Sequence, residues 1–172
     1  DRLWRHVADQ LAAREAMILR ASLPATRTLP GTLRLEHEGT TLWGPVPCFG
    51  KADNAGAIAH DNPTRNPLYA YGDSPLGKYR IMGCVPTGTD PEEIRKYGVH
   101  GKLVLDPVGG QALQAKENGR FGLLVHGGGL GGAAPYGFRP TYGCLRVLND
   151  DMGTLVTRYR ELKFTEYEAV EA

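Results

Sequence analysis

The sequence predicts a mainly β domain with a few helices, in the α+β class. Glycine accounts for 23 of the 172 residues, a composition that favours turns and loops over a helical bundle. Short segments of β-type residues are separated by clusters of Gly, Pro, Asn and Asp, as is typical of short strands. With 41% hydrophobic residues, a chain of this length can form one domain with a buried core.

A helix is predicted at the N-terminal end. Residues 3 to 19 are rich in Ala and contain no Gly, which favours helix formation. Their apolar residues recur near helical spacing, at Leu3, Val7, Leu11 and Ile18. We therefore expect an amphipathic helix that packs through its apolar face.

A β-hairpin is predicted next. Residues 32 to 36 alternate with a period of two, and a His-Glu-Gly turn at 37–39 leads into a second strand at 40–43. The hairpin opens the β-rich part of the chain. We therefore expect residues 1–30 to form an N-terminal helix and linker, and residues 31–172 to form the main domain.

The rest of the chain predicts loops, two strands and two helices. Residues 44 to 77 are crowded with Gly, Pro, Asn and Asp, which predicts long loops around short strands rather than helix. Strands are expected at 78–82 and 121–125. Asp90, followed by Pro and two Glu, is the predicted N-cap of one short helix. Asn149 is the predicted N-cap of the last helix.

Charge and hydropathy argue against several classes of protein. The 20 Lys and Arg nearly balance the 19 Asp and Glu, so there is no global positive field to attract nucleic acid. No apolar run approaches the roughly 20 residues of a membrane span, and the N-terminus lacks the pattern of a signal peptide. We therefore expect neither nucleic acid as a partner nor a membrane span.

The cysteines and histidines do not suggest a metal site. Cys48, Cys84 and Cys144 form no Cys-x-x-Cys pair, and the five histidines show no zinc-ligand spacing. Cys48 and Cys84 are either a pair that forms in an oxidising compartment or two buried, small apolar residues. Neither a metal nor a cofactor is expected.

Candidate catalytic residues lie between positions 126 and 146. A short β-type run ends at His126, a glycine-rich loop begins at Gly127, and a turn carries Cys144. A strand end suits a catalytic base because the strand holds it still while the loop exposes it. A thiol is a good nucleophile only as thiolate, so it needs such an imidazole nearby. From the residues alone, a buried cysteine and a structural histidine remain the alternative.

The turn before the cysteine has features of an oxyanion site. Gly143 allows a positive φ or a close approach of a substrate carbonyl, and the amides around Gly143 and Cys144 could donate to a developing oxyanion. The Thr141 hydroxyl could fix the turn or contact the substrate. Arg139 and Arg146 flank the cysteine, and each could bind a substrate carboxylate or lie solvated or salt-bridged at the surface.

Two competing motifs fail on their context. The glycines at 127, 129 and 132 match a dinucleotide fingerprint, but Ala-Ala-Pro follows them and does not continue a helix. The His-Gly-Gly-Gly run is similar to an esterase oxyanion loop, but the chain has no Gly-x-Ser-x-Gly elbow. We expect neither a Rossmann site nor a serine hydrolase.

The segment around the cysteine resembles the signature of the L,D-transpeptidase catalytic domain, the YkuD family. That signature is His, 14 to 17 residues, Ser/Thr-His-Gly-Cys, an apolar residue and Asn or Arg. Here residues 127–140 separate His126 from Thr-Tyr-Gly-Cys-Leu-Arg, which ends at Arg146. Residues 73–81 resemble the family's Thr-Pro-x-Gly-x-Phe/Tyr-x-Ile strand. Tyr142 departs from the signature, since many members have a second His there.

The resemblance implies an enzyme with a β-sandwich or barrel fold that acts on peptidoglycan stem peptides. By that resemblance Cys144 attacks the carbonyl of the third residue of a tetrapeptide stem, expels D-alanine and retains a thioester. His126 serves as the base, and Gly143, Thr141 and Tyr142 form the turn at the oxyanion. Residues expected to bind substrate are Arg146, Gly127 and Arg139.

Several readings of the biology stay open at this stage. The acyl acceptor is a stem amine, a free D-amino acid or water. An L,D-carboxypeptidase secreted as an antibacterial effector, with an immunity or delivery protein as partner, is one alternative. A non-catalytic peptidoglycan-binding module is another. In each case the expected location is the periplasm or cell envelope, or secretion into it.

Overall fold

The chain folds around a closed β-barrel, which has eight strands over the residues that the structure describes. The computed structural model describes the backbone of residues 1–172 and the side chains of residues 1–12 and 16–172. The strands are β1 Met17–Leu23, β2 Gly31–His37, β3 Thr40–Phe49, β4 Gly77–Val85, β5 Lys102–Gly109, β6 Leu124–His126, β7 Leu145–Val147 and β8 Glu166–Glu171. They close in the order β1-β2-β3-β7-β6-β5-β4-β8, with β8 pairing back onto β1.

Two of the strand pairs are parallel, β1 with β8 and β6 with β7. The other neighbouring pairs are antiparallel. Closure leaves no free sheet edge in the barrel, because each strand pairs on both sides. The parallel β6–β7 pair is the one that positions the candidate catalytic residues.

Five α-helices accompany the strands over the described residues. They are α1 Arg2–Glu15, α2 Asn54–Ala59, α3 Pro91–Tyr97, α4 Gly110–Glu117 and α5 Asn149–Leu162, and a single 3₁₀ turn spans Pro135–Gly137. A β-rich chain with a few helices is the predicted fold class, which is confirmed. Within the described part of the chain, no helix has the length and apolar character of a membrane span.

The core fills the barrel and the space between the barrel and α5. Alternate side chains of β1 point inward, and Leu19, Ala21 and Leu23 are fully buried. Met152 and Leu155 of α5 are buried against the same cluster. Burial of each such aliphatic side chain contributes about 1.5–3 kcal/mol, so α5 stabilises the wall that carries the candidate site.

The predicted N-terminal helix is present as α1, but its end and its packing differ from the prediction. The helix ends at Glu15, and residues 17–19 belong to β1. Pairing with β2 on one side and β8 on the other outweighs the helical propensity of this segment. The apolar face of α1 is not packed, because the side chains of Leu3 and Leu11 are 67% and 51% exposed. The division into domains at residue 31 stays a prediction, although β1 joins residues 17–23 to the barrel.

The hairpin and the short helix are confirmed, and the region after the hairpin contains an unexpected helix. The strands β2 and β3 pair across the predicted turn. Asp90 caps α3 by accepting from Glu92 N, and α3 ends before Gly98. The prediction of loops without helix at 44–77 is wrong at α2, where Asp53 accepts a hydrogen bond from Gly56 N. No pattern in the sequence had pointed to β5, α4 or β8.

Two boundaries near the candidate site also differ from prediction. Strand β6 begins at Leu124 rather than Phe121. Asn149 is the first helical residue of α5, and Leu148 occupies the N-cap position without a side-chain hydrogen bond. The Asn149 side chain instead accepts a hydrogen bond from Gly128 N at 2.8 Å, so it holds the glycine-rich loop rather than its own helix.

We predict that Leu19→Ala lowers the free energy of unfolding by about 2–5 kcal/mol, because it leaves a cavity in a fully buried position. Leu11→Ala on exposed α1 is the matched control and should change stability by less than about 0.5 kcal/mol. Urea denaturation measures both. Equal losses in the two variants would contradict the description of α1 as lying outside the core.

Candidate active site

Strands β6 and β7 bring His126 and Cys144 to the same end of the barrel. In their parallel pairing Val125 lies opposite Leu145 and His126 opposite Arg146. Cys144 immediately precedes β7, so one residue pair, Val125 with Leu145, separates it from the level of the histidine. Both residues line one cavity of about 800 Å³. The two residues that the sequence singled out for chemistry therefore share a site.

The cavity collects most of the predicted site residues and several that the sequence did not reveal. Thr141, Tyr142, Arg139 and Arg146 line it, whereas Gly127 and Gly143 do not. The lining residues that sequence analysis missed include Arg95, Lys96 and Arg120, while Asp53 is the one acidic residue among the described lining residues. The site is therefore strongly basic and suits an anionic ligand.

A hydrogen bond orients the histidine. His126 Nδ1 lies 2.7 Å from the carbonyl oxygen of Gly127. A carbonyl only accepts, so Nδ1 carries the proton and Nε2 keeps a free lone pair. The ring also packs edge-on against Tyr97, with centroids 5.0 Å apart. The place of Gly127 behind the imidazole suits orientation of the base rather than contact with substrate.

Burial keeps the histidine neutral. His126 is 2% exposed, and this burial lowers the pKa of its imidazole to about 4. The Gly127 hydrogen bond opposes that shift, while the positive charges of Arg146 and Lys102 add to it. At neutral pH the side chain is therefore an uncharged base that can accept a proton.

Successive amides of the glycine-rich loop are anchored by neighbouring helices. Gly127 N donates to Tyr97 O at 3.1 Å, and Gly129 N donates to Arg95 O at 2.9 Å, both in the last turn of α3. Gly128 N donates to Asn149 of α5. The loop is thus fixed where it leaves the histidine, which preserves the position of the base.

The turn before Cys144 is held by the hydroxyl of Thr141. Gly143 has φ of +113°, and its N–H donates to Thr141 Oγ1 at 2.9 Å. The same hydroxyl donates to Cys144 O at 2.8 Å. The Gly143 amide is therefore engaged by Thr141 in this structure, and the oxyanion role expected of it stays a prediction. The Cys144 N–H makes no backbone hydrogen bond among the described residues and is the remaining candidate.

The thiol is protonated at rest. Cys144 is half-buried, and its Sγ lies 3.6 Å from Gly122 O. Burial raises the pKa of the Cys144 thiol, while an amide hydrogen bond from Leu124 and the charges of Arg120 and Arg146 oppose that rise. With a neutral imidazole and a protonated thiol, any nucleophilic attack by Cys144 would require transfer of the thiol proton to a base such as His126.

Arg146 lines the cavity and has buried donors that are not used. The side chain is only 4% exposed, and its Nε and Nη1 atoms are buried without a hydrogen-bond partner among the described residues. Burial lowers the pKa of Arg146 to about 10. Unpaired buried donors typically cost about 1–3 kcal/mol each, so an anionic ligand at this position would be stabilised. A side chain at position 129 would overlap the Arg146 guanidinium, so the arginine can lie here only next to a glycine.

Aromatic residues form one wall of the cavity. Tyr142 is 55% exposed and packs edge-on against Tyr71 at 5.2 Å between centroids. The imidazole of His60 stacks on the ring of Tyr71, with centroids 3.5 Å apart. Tyr142, which replaces the second histidine of the family signature, therefore contributes packing surface rather than a base.

The composition of the site does not provide for a metal. Among the described residues, no three His, Cys, Asp or Glu side chains are grouped as metal ligands would be.

Comparisons with known proteins give distant structural matches. No protein family and no curated protein matches this chain. An L,D-transpeptidase solved in complex with imipenem is 17% identical at a TM-score of 0.45, covering 91% of this chain and 59% of its own. The L,D-transpeptidase from Stackebrandtia nassauensis is 14% identical at 0.46, covering 91% and 56%. L,D-transpeptidase 1 of Mycobacterium tuberculosis is 15% identical at 0.40, covering 91% and 62%.

These matches belong to the family that the sequence motifs resemble. The present chain spans about three fifths of the length of each.

We predict that His126 makes stability depend on pH. The pKa of the imidazole is about 4 in the folded protein against an ordinary 6.5, so between these values the unfolded chain binds the extra proton. The free energy of unfolding should therefore fall as the pH drops from about 6.5 to about 4, by up to about 3 kcal/mol from this group. Urea denaturation between pH 4 and pH 8 measures the slope.

The variant His126→Asn should lose this contribution, since Asn does not titrate. His6→Asn is the control, because His6 lies exposed on α1 and its removal should leave the slope in place. An unchanged slope in His126→Asn would contradict the description of the imidazole as buried and neutral.

Proposed function

We propose that this chain is a cysteine acyltransferase that cleaves the L,D bond of peptidoglycan tetrapeptide stems and transfers the acyl group to an amine. The observation that carries the proposal is the pairing of β6 with β7, which brings a neutral, oriented imidazole and a thiol into one basic cavity. The motif formed by these residues resembles that of L,D-transpeptidases, and its order and spacing support the same chemistry. Peptidoglycan as substrate implies action in the cell envelope.

The acylation step follows from the two side chains. Cys144 Sγ attacks the carbonyl carbon of the third stem residue, and its proton passes to His126 Nε2. The oxyanion accepts a hydrogen bond from Cys144 N–H, the free amide of the turn. When the tetrahedral intermediate collapses, the C–N bond breaks and His126 returns the proton to the amine of the departing D-alanine. The acyl group remains on sulfur as a thioester.

Deacylation repeats these transfers with a new nucleophile. An acceptor amine attacks the thioester carbon and loses a proton to His126 Nε2. The C–S bond then breaks, and the imidazole protonates the thiolate that leaves. A stem amine gives a cross-link, a D-amino acid gives exchange and water gives a shortened stem.

The charge of the cavity matches the proposed substrate. A tetrapeptide stem carries a terminal carboxylate and a second one where its third residue is a diacid. Arg146 offers buried, unpaired donors, and Arg139 lies exposed beside it on the cavity lining. A guanidinium fork binds a carboxylate through two parallel hydrogen bonds. Arg146 is thus the proposed carboxylate anchor, and Arg139 supports it.

We predict that the wild-type protein releases D-alanine from a disaccharide tetrapeptide and that Cys144→Ala abolishes the release. His126→Gln should lower kcat at least about a hundredfold, the usual range for loss of a general base. Cys84→Ala is the matched control, because Cys84 lies on β4 outside the cavity lining and should retain activity. Mass spectrometry of the products identifies the acceptor.

Three outcomes, observed when the protein is incubated with the disaccharide tetrapeptide, would count against the proposal. Release that persists in Cys144→Ala would remove the nucleophile from its role. Stoichiometric binding without any product would indicate a peptidoglycan-binding module. Product formed only with water would indicate an L,D-carboxypeptidase and remove the transfer step.

We predict that Arg146→Met weakens binding of the stem about ten- to a hundredfold, which corresponds to loss of a charge-assisted hydrogen bond worth about 1.5–3 kcal/mol. Stems amidated at each carboxylate in turn identify the carboxylate that Arg146 binds. Amidation of that carboxylate should weaken binding to the Arg146→Met variant only slightly, because the interaction is already lost. Arg158→Met on α5 is the control, because Arg158 pairs with Glu161 on the exposed helix surface. Isothermal titration with Cys144→Ala as background measures the affinities, and unaltered binding by Arg146→Met would refute the anchor.

A further inference from the structure

A second buried arginine lies behind the nucleophile. Arg120 follows α4 in the connection to β6 and is only 3% exposed. Its N–H donates to Ala115 O at 3.0 Å, which ties its backbone to the end of that helix. The chemistry proposed above does not use Arg120, although its side chain reaches the cavity lining.

The guanidinium of Arg120 joins two segments that are distant in sequence. Nη1 donates to Pro67 O at 2.5 Å and to Asp73 O at 2.9 Å. Nη2 donates to Gly72 O at 2.6 Å and more weakly to Tyr142 O at 3.4 Å. The same planar group therefore holds the loop of residues 66–74 and the turn that carries the nucleophile.

The fit of the guanidinium against the turn depends on Gly143. A side chain at position 143 would overlap Arg120 Nη2. On the neighbouring peptide, Ser74 Oγ donates to Gly143 O at 2.6 Å. The residue that precedes the cysteine is thus pressed between the arginine and the 66–74 loop, which leaves the thiol little freedom to shift.

The charge of Arg120 is not neutralised by a direct ion pair. All its side-chain hydrogen bonds among the described residues go to backbone carbonyls. The nearby carboxylate of Asp73 accepts instead from Ala52 N at 2.8 Å and from Arg65 Nε at 3.1 Å. A positive charge with neutral partners, buried next to a thiol, favours the thiolate form of that thiol.

Other groups also act on this pair. The titratable and charged groups that face Cys144 or Arg120 are His126, Arg146, Asp73, Tyr79 and Tyr167. Of these, only Arg146 is a second fixed positive charge, and the proposed substrate would neutralise it on binding. Arg120 keeps its charge when the substrate is in place, because its contacts are all within the protein.

We propose that Arg120 is a positioning residue for the nucleophile, which fixes the turn at Tyr142 and Gly143 and stabilises the Cys144 thiolate that forms during attack. The effect of Arg120 on turnover rests on the function proposed above. The effect of Arg120 on the Cys144 thiol does not rest on it, because that effect is present without substrate. Lysine would supply the charge but not the fork that joins four carbonyls.

The test is the pH dependence of Cys144 alkylation in three variants. Iodoacetamide reacts with the thiolate, and mass spectrometry of the Cys144 peptide separates this site from Cys48 and Cys84. Arg120→Met and Arg120→Gln should raise the midpoint of the alkylation profile by about one pH unit or more, because a positive charge nearby is lost. Arg120→Lys should restore most of the wild-type midpoint while D-alanine release stays at least about tenfold reduced.

Arg27→Met is the matched control. Arg27 is also buried and also donates to backbone carbonyls, those of Pro24 and Ser74, but it does not line the cavity. Its removal should lower the melting temperature without moving the Cys144 profile. This comparison separates a general loss of stability from a specific effect on the thiol.

A wild-type profile in folded Arg120→Met would overturn the proposal. If Arg120→Met does not fold, the comparison of Arg120→Gln with Arg120→Lys tests the proposal. Equal midpoints of Cys144 alkylation in these two variants would also overturn it. If the wild-type protein releases no D-alanine, the proposed function is refuted, whereas the alkylation profiles still test the role of Arg120.

Discussion

The parallel pairing of β6 with β7 is the constraint on which the site depends. Parallel neighbours cannot be joined by a tight turn and need a crossover of a dozen or more residues. In this chain the crossover is the glycine-rich segment 127–144, which leaves the barrel after His126 and returns at Cys144. The long spacing between base and nucleophile is therefore a requirement of the topology. The same crossover closes over Arg146, where Gly129 leaves space for the guanidinium.

Burial determines how the site operates. It keeps the imidazole of His126 neutral and the thiol of Cys144 protonated, so the site at rest holds no preformed ion pair. Buried arginines at 120 and 146 offset the cost of forming a thiolate in this environment. Arg120 is held by backbone carbonyls, whereas Arg146 has donors without a partner among the described residues. In the proposed mechanism, Arg120 holds the turn that carries Cys144, and Arg146 receives an anionic substrate.

Local patterns predicted a useful part of the fold and of the site. The β2–β3 hairpin, the Asp90 cap of α3 and the strand that ends at His126 depend on neighbours in sequence, and such patterns are visible in one chain. The helix prediction extended wrongly over residues 17–19 of β1, because the structure of this strand depends on pairing with β2 and β8. Arg120 gave no signal, since its role arises from carbonyls of residues 67, 72, 73 and 142. Asn149 resembled a helix cap, but its partner is Gly128 across the site.

The central claim is that Cys144 carries the acyl group as a thioester. Intact-protein mass spectrometry, after rapid mixing with a tetrapeptide stem in the absence of an acceptor amine, tests this directly. We expect a mass increase equal to the mass of the tetrapeptide stem minus the mass of one free D-alanine, located on Cys144 and removed by hydroxylamine. No adduct on the wild-type protein, or an equal adduct on Cys144→Ala, would contradict it.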